Sequence, residues 1–369
     1  MATSTARCQT AEAAISFDFE GASQSQCVIE GERSFGILIT PEHAPPINPS
    51  PWYALRYEAK GSAPVTVTLH YSGAKHRYSP KLDDTAGGQV GVELEQEGEI
   101  ARLLLPAGSG TISGQPLRTS QYCDRLLDTL AAGPEARRIV LGRSQDSRAV
   151  EAVRFGSPDA PKLIVLLGRA HPPEVTGTYA FDPFVEAVEQ RLRDEPSLAA
   201  QFQVLAVPLL NPDGVALGHW RANHGGVDLN RDWGKFAQPE TRAVGDWLAG
   251  LPPHIRPVAM LDFHSTQRNL FYVQGEEASE EQEQFLANWL VGKETRFPGY
   301  AFTLERSNAN PGSGTSKNWF HAAYAIPAYT YEVADNADEE ATRRAAAQLG
   351  SDFIDALVKM GNVQTGTTP

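Results

Sequence analysis

Lys162-Leu-Ile-Val-Leu-Leu-Gly168 is a continuous apolar run, followed after two residues by His171-Pro-Pro-Glu174. A run this short and this uniformly apolar has the texture of a strand buried on both faces, as in a sheet covered by helices. The same texture recurs downstream. Residues 202–210, 257–263 and 326–332 read as strands, while 175–194, 239–251, 277–294 and 338–359 carry helical spacing. A helical stretch at 122–132 and two strand-like runs at 138–142 and 150–155 lead into the series. Such alternation predicts an α/β sheet with helices on both faces.

Upstream the texture changes. Val65-Thr-Val-Thr-Leu-His-Tyr71 alternates in side-chain type, Trp52 to Tyr57 is rich in aromatics, and Gly and Pro punctuate the runs, as in Glu42 to Pro51. Short strands divided by turn signals predict a small all-β sandwich. Gly108-Ser-Gly110 is read as a turn; no helix follows it, so it is not a dinucleotide fingerprint. The expected division is a β-sandwich domain over residues 1–117 and an α/β domain over 118–369, in keeping with about two domains for this length.

Composition narrows the function. A net charge of −13 argues against nucleic acid as a partner, because phosphate binding needs a basic patch. There is no dense Lys/Arg run to meet a membrane surface, and no apolar stretch approaches the ~18 residues of a membrane span. The N-terminus has no continuous apolar segment and reads as a tail ahead of the first strand, not a signal peptide. Cys8, Cys27 and Cys123 are odd in number and widely spaced. The expectation is therefore no disulfide framework, no cysteine metal site and a reducing, cytoplasmic compartment.

The chemistry lies in four fragments: His171-Pro-Pro-Glu174, Trp220-Arg221 with Asp228-Leu-Asn230-Arg231, Asp262-Phe-His264-Ser265, and Tyr331-Glu332. A lone His-x-x-Glu means little. Here, however, His171 and Glu174 follow the first apolar run, His264 follows the third, and Glu332 ends the last. Open α/β sheets bind ligands at the carboxyl ends of their strands, so the fragments are expected to converge there. His171, Glu174 and His264 supply two imidazoles and a carboxylate, the donor set of one catalytic Zn2+ with a position left for water. Glu332 is then the candidate base for that water's proton. Guanidinium forks bind carboxylates, so Asn230 and Arg231 are candidates for gripping a substrate's terminal carboxylate. Arg221 is the candidate oxyanion donor, and Asp228 a candidate acceptor for a ligand imidazole N–H.

Taken in order, HPPE, NPDG at 211–214, WRAN, VDLNRDW at 227–233, DFHS and YTYEV resemble the zinc metallocarboxypeptidases of the carboxypeptidase A type. The all-β N-terminal region points to their cytosolic carboxypeptidase subgroup. The resemblance covers the chain from about residue 120 onward; for the N-terminal region it covers layout alone. It implies a mixed, largely parallel eight-stranded sheet between helices, zinc on His171, Glu174 and His264, Glu332 as base and acid, and the roles above for Arg221, Asn230 and Arg231. It implies peptide or protein C-termini as partners.

By its spacing from Trp319 and Glu332, Lys317 resembles the family position at the base of the specificity pocket, where a cation favours C-terminal Glu or Asp; the alternative is a solvated lysine in a Gly/Ser loop. There are two departures from the classical pattern. Pro173 stands where digestive members carry a substrate-touching Arg, and Asn310 to Ser316 lacks the tyrosine that covers substrate there.

Two other functions stay open at this level. One is a zinc amidase acting on peptidoglycan stem peptides or N-acyl amino acids. The other is a binding protein with a vestigial site. A serine hydrolase is disfavoured for lack of a G-x-S-x-G elbow, and a thiol mechanism because Cys123 sits in a helix far from the cluster.

Overall fold

In the computed structural model of the chain, residues 8–23, 25–43, 48–84, 90–306 and 312–363 are described. Residues 213–226 and 171–173 group with the N-terminal strands in one compact unit; residues 120–170, 174–212 and 227–369 form the other.

The N-terminal region is all-β, as expected. Its strands are β1 (Cys8–Gln9), β2 (Ala13–Ser16), β3 (Gln26–Gly31), β4 (Ser34–Ile39), β5 (Ala54–Ala59), β6 (Val65–Tyr71), β7 (Lys81–Asp84), β8 (Gly91–Glu95), β9 (Ile100–Leu105) and β10 (Ser109–Ser113). They form two five-stranded sheets, β1-β2-β5-β10-β7 and β3-β4-β6-β9-β8. Period-two alternation buries one face: Ala101, Leu103 and Leu105 of β9 are covered while Arg102 and Leu104 are exposed. Ile15, Leu55, Tyr57 and Ile112 from one sheet, and Phe35, Ile37, Val67 and Leu69 from the other, are buried likewise.

The cysteine expectation is corrected here. Cys8 and Cys27 form a disulfide between β1 and β3, with their Cα atoms 6.1 Å apart. The two residues lie in strands of different sheets. Cys123 stays outside it, buried.

The second unit holds β11 (Arg137–Arg143), β12 (Ala149–Gly156), β13 (Lys162–Gly168), β14 (Phe202–Val207), β15 (Arg256–Thr266), β16 (Leu270–Val273), β17 (Thr303–Arg306) and β18 (Ala328–Ala334). The helices of the chain are α1 (Ser120–Ala131), α2 (Gly177–Asp194), α3 (Pro196–Ala199), α4 (Pro212–Leu217), α5 (Pro239–Ala249), α6 (Glu280–Trp289), α7 (Ser316–Tyr324) and α8 (Glu339–Val363). The strands form one eight-stranded mixed sheet in the order β11-β12-β14-β13-β15-β18-β16-β17. Its centre, β14-β13-β15-β18, is parallel, which explains the unbroken apolar run at 162–168: both faces of β13 are covered.

Each face has its own core. On one side Leu127 of α1, Phe184 of α2, Trp289 of α6 and Phe353 of α8 share one core cluster with Phe263 and Tyr331 of the sheet. On the other, Val244 and Leu248 of α5 and Phe320 of α7 share a second cluster with Val165, Leu205 and Met260. Among the described residues, no helix is long and apolar enough to cross a membrane.

Candidate active site

β15 runs on past Phe263 to Thr266, so His264 lies inside the strand and not just beyond it as the pattern had indicated. Glu332 is likewise inside β18. The parallel ladder pairs Asp262 with Thr330 and His264 with Glu332. Alternation then turns Asp262, His264, Thr330 and Glu332 to one face, and sends Phe263 and Tyr331 into the helical layer on the other. There the buried Tyr331 hydroxyl accepts a hydrogen bond from Tyr300 at 2.9 Å.

His264 is held at both ring nitrogens. Nδ1 lies 2.7 Å from Glu174 Oε2, and Nε2 lies 3.0 Å from Asp262 Oδ2. Burial disfavours a charge on this ring, but the Asp262 and Glu174 carboxylates outweigh it and hold the imidazole well above its usual pKa. Asp262 also accepts a hydrogen bond from the Ser316 hydroxyl. A carboxylate behind a ligand imidazole fixes its tautomer and orientation. Sequence reading gave Asp262 no role, although its place two residues before His264 on one strand already put the two side chains on the same face.

The loop after β13 brings in the other two donors. His171, Glu174 and His264 are all buried, and one ligand atom from each lies within 4.8 Å of the others. Two imidazoles and a carboxylate this close fit a zinc ion with an open fourth position. The placement of Glu174 has a visible cause. Ser265 N–H donates to Glu174 Oε2 at 3.3 Å, while the Ser265 hydroxyl accepts from Gly177 N–H at 2.7 Å and pairs with the Thr176 hydroxyl at 2.8 Å. The start of α2 is therefore pinned to β15. Only glycine fits at 177, since a Cβ there would lie 2.9 Å from the His264 carbonyl oxygen.

Asn230 and Arg231 sit in a single 3-10 turn, Leu229–Arg231. Asp228 caps it, accepting from Asn230 N–H at 2.8 Å. The Asn230 side chain spans two elements, accepting from Ser316 N–H at 2.9 Å and placing Nδ2 3.4 Å from His264 Nε2. Arg231 Nη1 donates to the Asn230 carbonyl at 2.7 Å. The turn is braced from behind by Asp232, which accepts from Ala237 and Gln238 N–H at 3.1 and 2.8 Å.

Lys317 is not a solvated loop residue. It lies in the first turn of α7, buried at 5% exposure, next to the Ser316 whose N–H meets Asn230. Burial lowers its pKa, and the nearby Glu277 opposes that shift in part. Arg221 is also buried, at 8% exposure, in the segment that groups with the N-terminal strands. Of the loop expected to lack a covering tyrosine, Asn310 and Pro311 lie outside the described residues.

Tyr272 escaped the sequence reading altogether. On β16 it pairs with Thr330, which puts it on the face of Glu332. Burial and then the Glu332 charge raise its phenol pKa.

Comparison with known proteins agrees with this geometry. Residues 123–348 match the Peptidase_M14 family, zinc carboxypeptidase. The chain belongs to the zinc carboxypeptidase family. Among relatives of this zinc carboxypeptidase, it is 29% identical over 144 residues to cytosolic carboxypeptidase 2 of Danio rerio, covering 36% of the chain and 20% of the relative. It is 29% identical over 171 residues to cytosolic carboxypeptidase 6 of Caenorhabditis elegans, covering 42% of the chain and 37% of the relative. The matches thus span only a minor part of these relatives.

Among solved structures, the metallo-carboxypeptidase of Burkholderia cenocepacia superposes with a TM-score of 0.76 at 16% identity, covering 96% of this chain and 100% of the other. The Pseudomonas aeruginosa metallo-carboxypeptidase, in complex with (2-guanidinoethylmercapto)succinic acid, gives 0.70 at 19% identity, covering 94% and 99%. At such identities the likeness is one of fold.

Proposed function

We propose that this zinc carboxypeptidase removes single residues from the C-termini of peptides or proteins, with a preference for C-terminal Glu or Asp. The observation that carries the reading is the approach of His171, Glu174 and His264 to within 4.8 Å, with Glu332 in register beside His264. His171, Glu174 and His264 would hold one zinc ion, with Asp262 orienting the His264 ring and Asp228 fixing the Asn230 turn beside it. Zinc bound there would supply a water of lowered pKa and polarise the scissile carbonyl. Glu332 takes the proton of the attacking water and hands it to the departing amine nitrogen. Arg221 stabilises the charge that develops on the carbonyl oxygen. Asn230 and Arg231 bind the terminal carboxylate, a requirement that separates a carboxypeptidase from a general amidase. Lys317, next to the Asn230 contact, meets an acidic side chain on the terminal residue. Residues 118–369 are assigned as the catalytic domain and 1–117 as the β-sandwich domain.

The test is a panel of peptides differing only at the C-terminal residue, with C-terminal amides included, run with zinc and with chelator. Chelator-sensitive release of Glu or Asp, with amides inert, is the expected result. Release of apolar residues instead removes the acidic preference and keeps the reaction. No release by the zinc-loaded protein overturns the proposal.

A further inference from the structure

We infer that Glu42 positions Arg221, and that through it the N-terminal strands contribute directly to the reaction. The inference rests on the reading of Arg221 as the oxyanion donor. Glu42 follows β4 by three residues, and its carboxylate gathers three successive backbone N–H groups. Oε2 accepts from Trp220 at 2.7 Å, and Oε1 accepts from Arg221 at 3.0 Å and Ala222 at 2.7 Å. Consecutive N–H groups turned toward one anion form a nest, and hydrogen bonds to an ionised acceptor are roughly twice as strong as neutral ones. The segment they anchor is not part of any sheet or helix, so its course is set by such contacts.

Two more ties fix the approach to that nest. Gly21 N–H donates to the Ala216 carbonyl at 2.9 Å. Gly218 has φ +65°, and a Cβ there would lie 2.6 Å from Ser23 N and 2.8 Å from the Ala22 carbonyl carbon. Only glycine allows both the conformation and the approach. From the far side of the turn, His219 Nδ1 lies 3.1 Å from the Ala222 carbonyl. The Arg221 side chain is itself 8% exposed, and it leaves from the backbone that Glu42 holds. A misplacement of about 1 Å can cost ~10²-fold in rate, which makes such an anchor catalytically relevant.

The carboxylate makes an atom-level prediction. In Glu42→Gln, the amide oxygen can keep the two bonds at the Oε1 position, but the amide N–H2 faces the Trp220 N–H and loses the third. Activity should therefore rank wild type above Glu42→Gln above Glu42→Ala. The experiment measures kcat, KM and zinc content of both variants, alone and combined with Arg221→Ala, together with hydrogen exchange of residues 219–226.

The expected result for Glu42→Ala is a kcat loss of roughly tenfold or more, bounded by the ~10²–10³ lost when an oxyanion donor is removed outright. KM and zinc content should hardly change, and exchange should rise in 219–226. In the Arg221→Ala background, Glu42→Ala should change kcat by less than about twofold, since the two act through one interaction. Wild-type kcat in Glu42→Ala, unchanged exchange in 219–226, or an equal loss in the Arg221→Ala background each overturns the inference. If Arg221→Ala itself keeps wild-type kcat, the role given to Arg221 falls and takes the inference with it. If Arg221→Ala is impaired and Glu42→Ala is not, Glu42 alone is wrongly assigned.

Discussion

Glu332 stands directly opposite His264 in the parallel β15–β18 ladder. The two side chains leave neighbouring strands on the same face, so the proposed base lies beside the proposed zinc ligand without any loop to place it. Backbone pairing is stiffer than a loop, and general-base chemistry needs fixed geometry. Glu332→Gln keeps the shape and removes the base. Turnover should fall by at least ~10²-fold, the lower end for general acid–base catalysis, with zinc content unchanged by elemental analysis. Retained turnover would exclude Glu332 as the base.

Arg231 shares a braced 3-10 turn with Asn230. Arg231→Ala should raise KM for peptides with a free C-terminus by roughly 10–100-fold, the equivalent of one charged hydrogen-bonded contact, with a smaller change in kcat. An Arg231→Ala enzyme with unchanged KM would place the carboxylate elsewhere.

The proposed role of Lys317 would link specificity to pH. Burial disfavours its charged form, so it loses its proton below the ordinary lysine value of ~10.4. Below that lowered pKa the ammonium would attract an acidic terminal residue in the proposed pocket; above it the attraction would be lost. The ratio of kcat/KM for Glu-terminated over Leu-terminated peptides should therefore decline with rising pH earlier than an exposed lysine would allow. Lys317→Ile should lower the ratio by about tenfold or more and flatten its pH dependence. An unaltered ratio in Lys317→Ile ends the acidic-pocket assignment.

Gly177 carries no chemistry, yet it should be intolerant of change. An alanine Cβ would press on the His264 carbonyl oxygen, and that contact is backbone, which cannot swing away. Gly177→Ala should cost ~1–3 kcal/mol of stability, read as a lowered midpoint in urea, and should weaken zinc retention against a competing chelator. A variant with wild-type midpoint and zinc affinity would show that the start of α2 yields without disturbing β15.

Much of this zinc carboxypeptidase was legible in the residue order. A run such as 162–168 is apolar throughout because both faces of a central strand are covered, and that demand is written locally. The donor types at 171, 174 and 264 and their positions near strand ends are local too, so sequence alone determined the fold class and the candidate zinc ligands. Other features depend on partners far along the chain. Whether His264 falls inside or beyond β15 depends on how far β18 pairs with it, and that ladder is also what sets Glu332 beside it. The Asp262 support, the burial of Lys317 and the approach of Tyr272 to Glu332 arise from packing between strands and helices 30 to 70 residues apart. The Cys8–Cys27 disulfide joins strands of two different sheets, a pairing no local spacing encodes. Glu42 reaches residues 220–222 across about half the chain, which no spacing rule encodes. Periodicity records which face is buried. Only the folded chain decides what is buried against it.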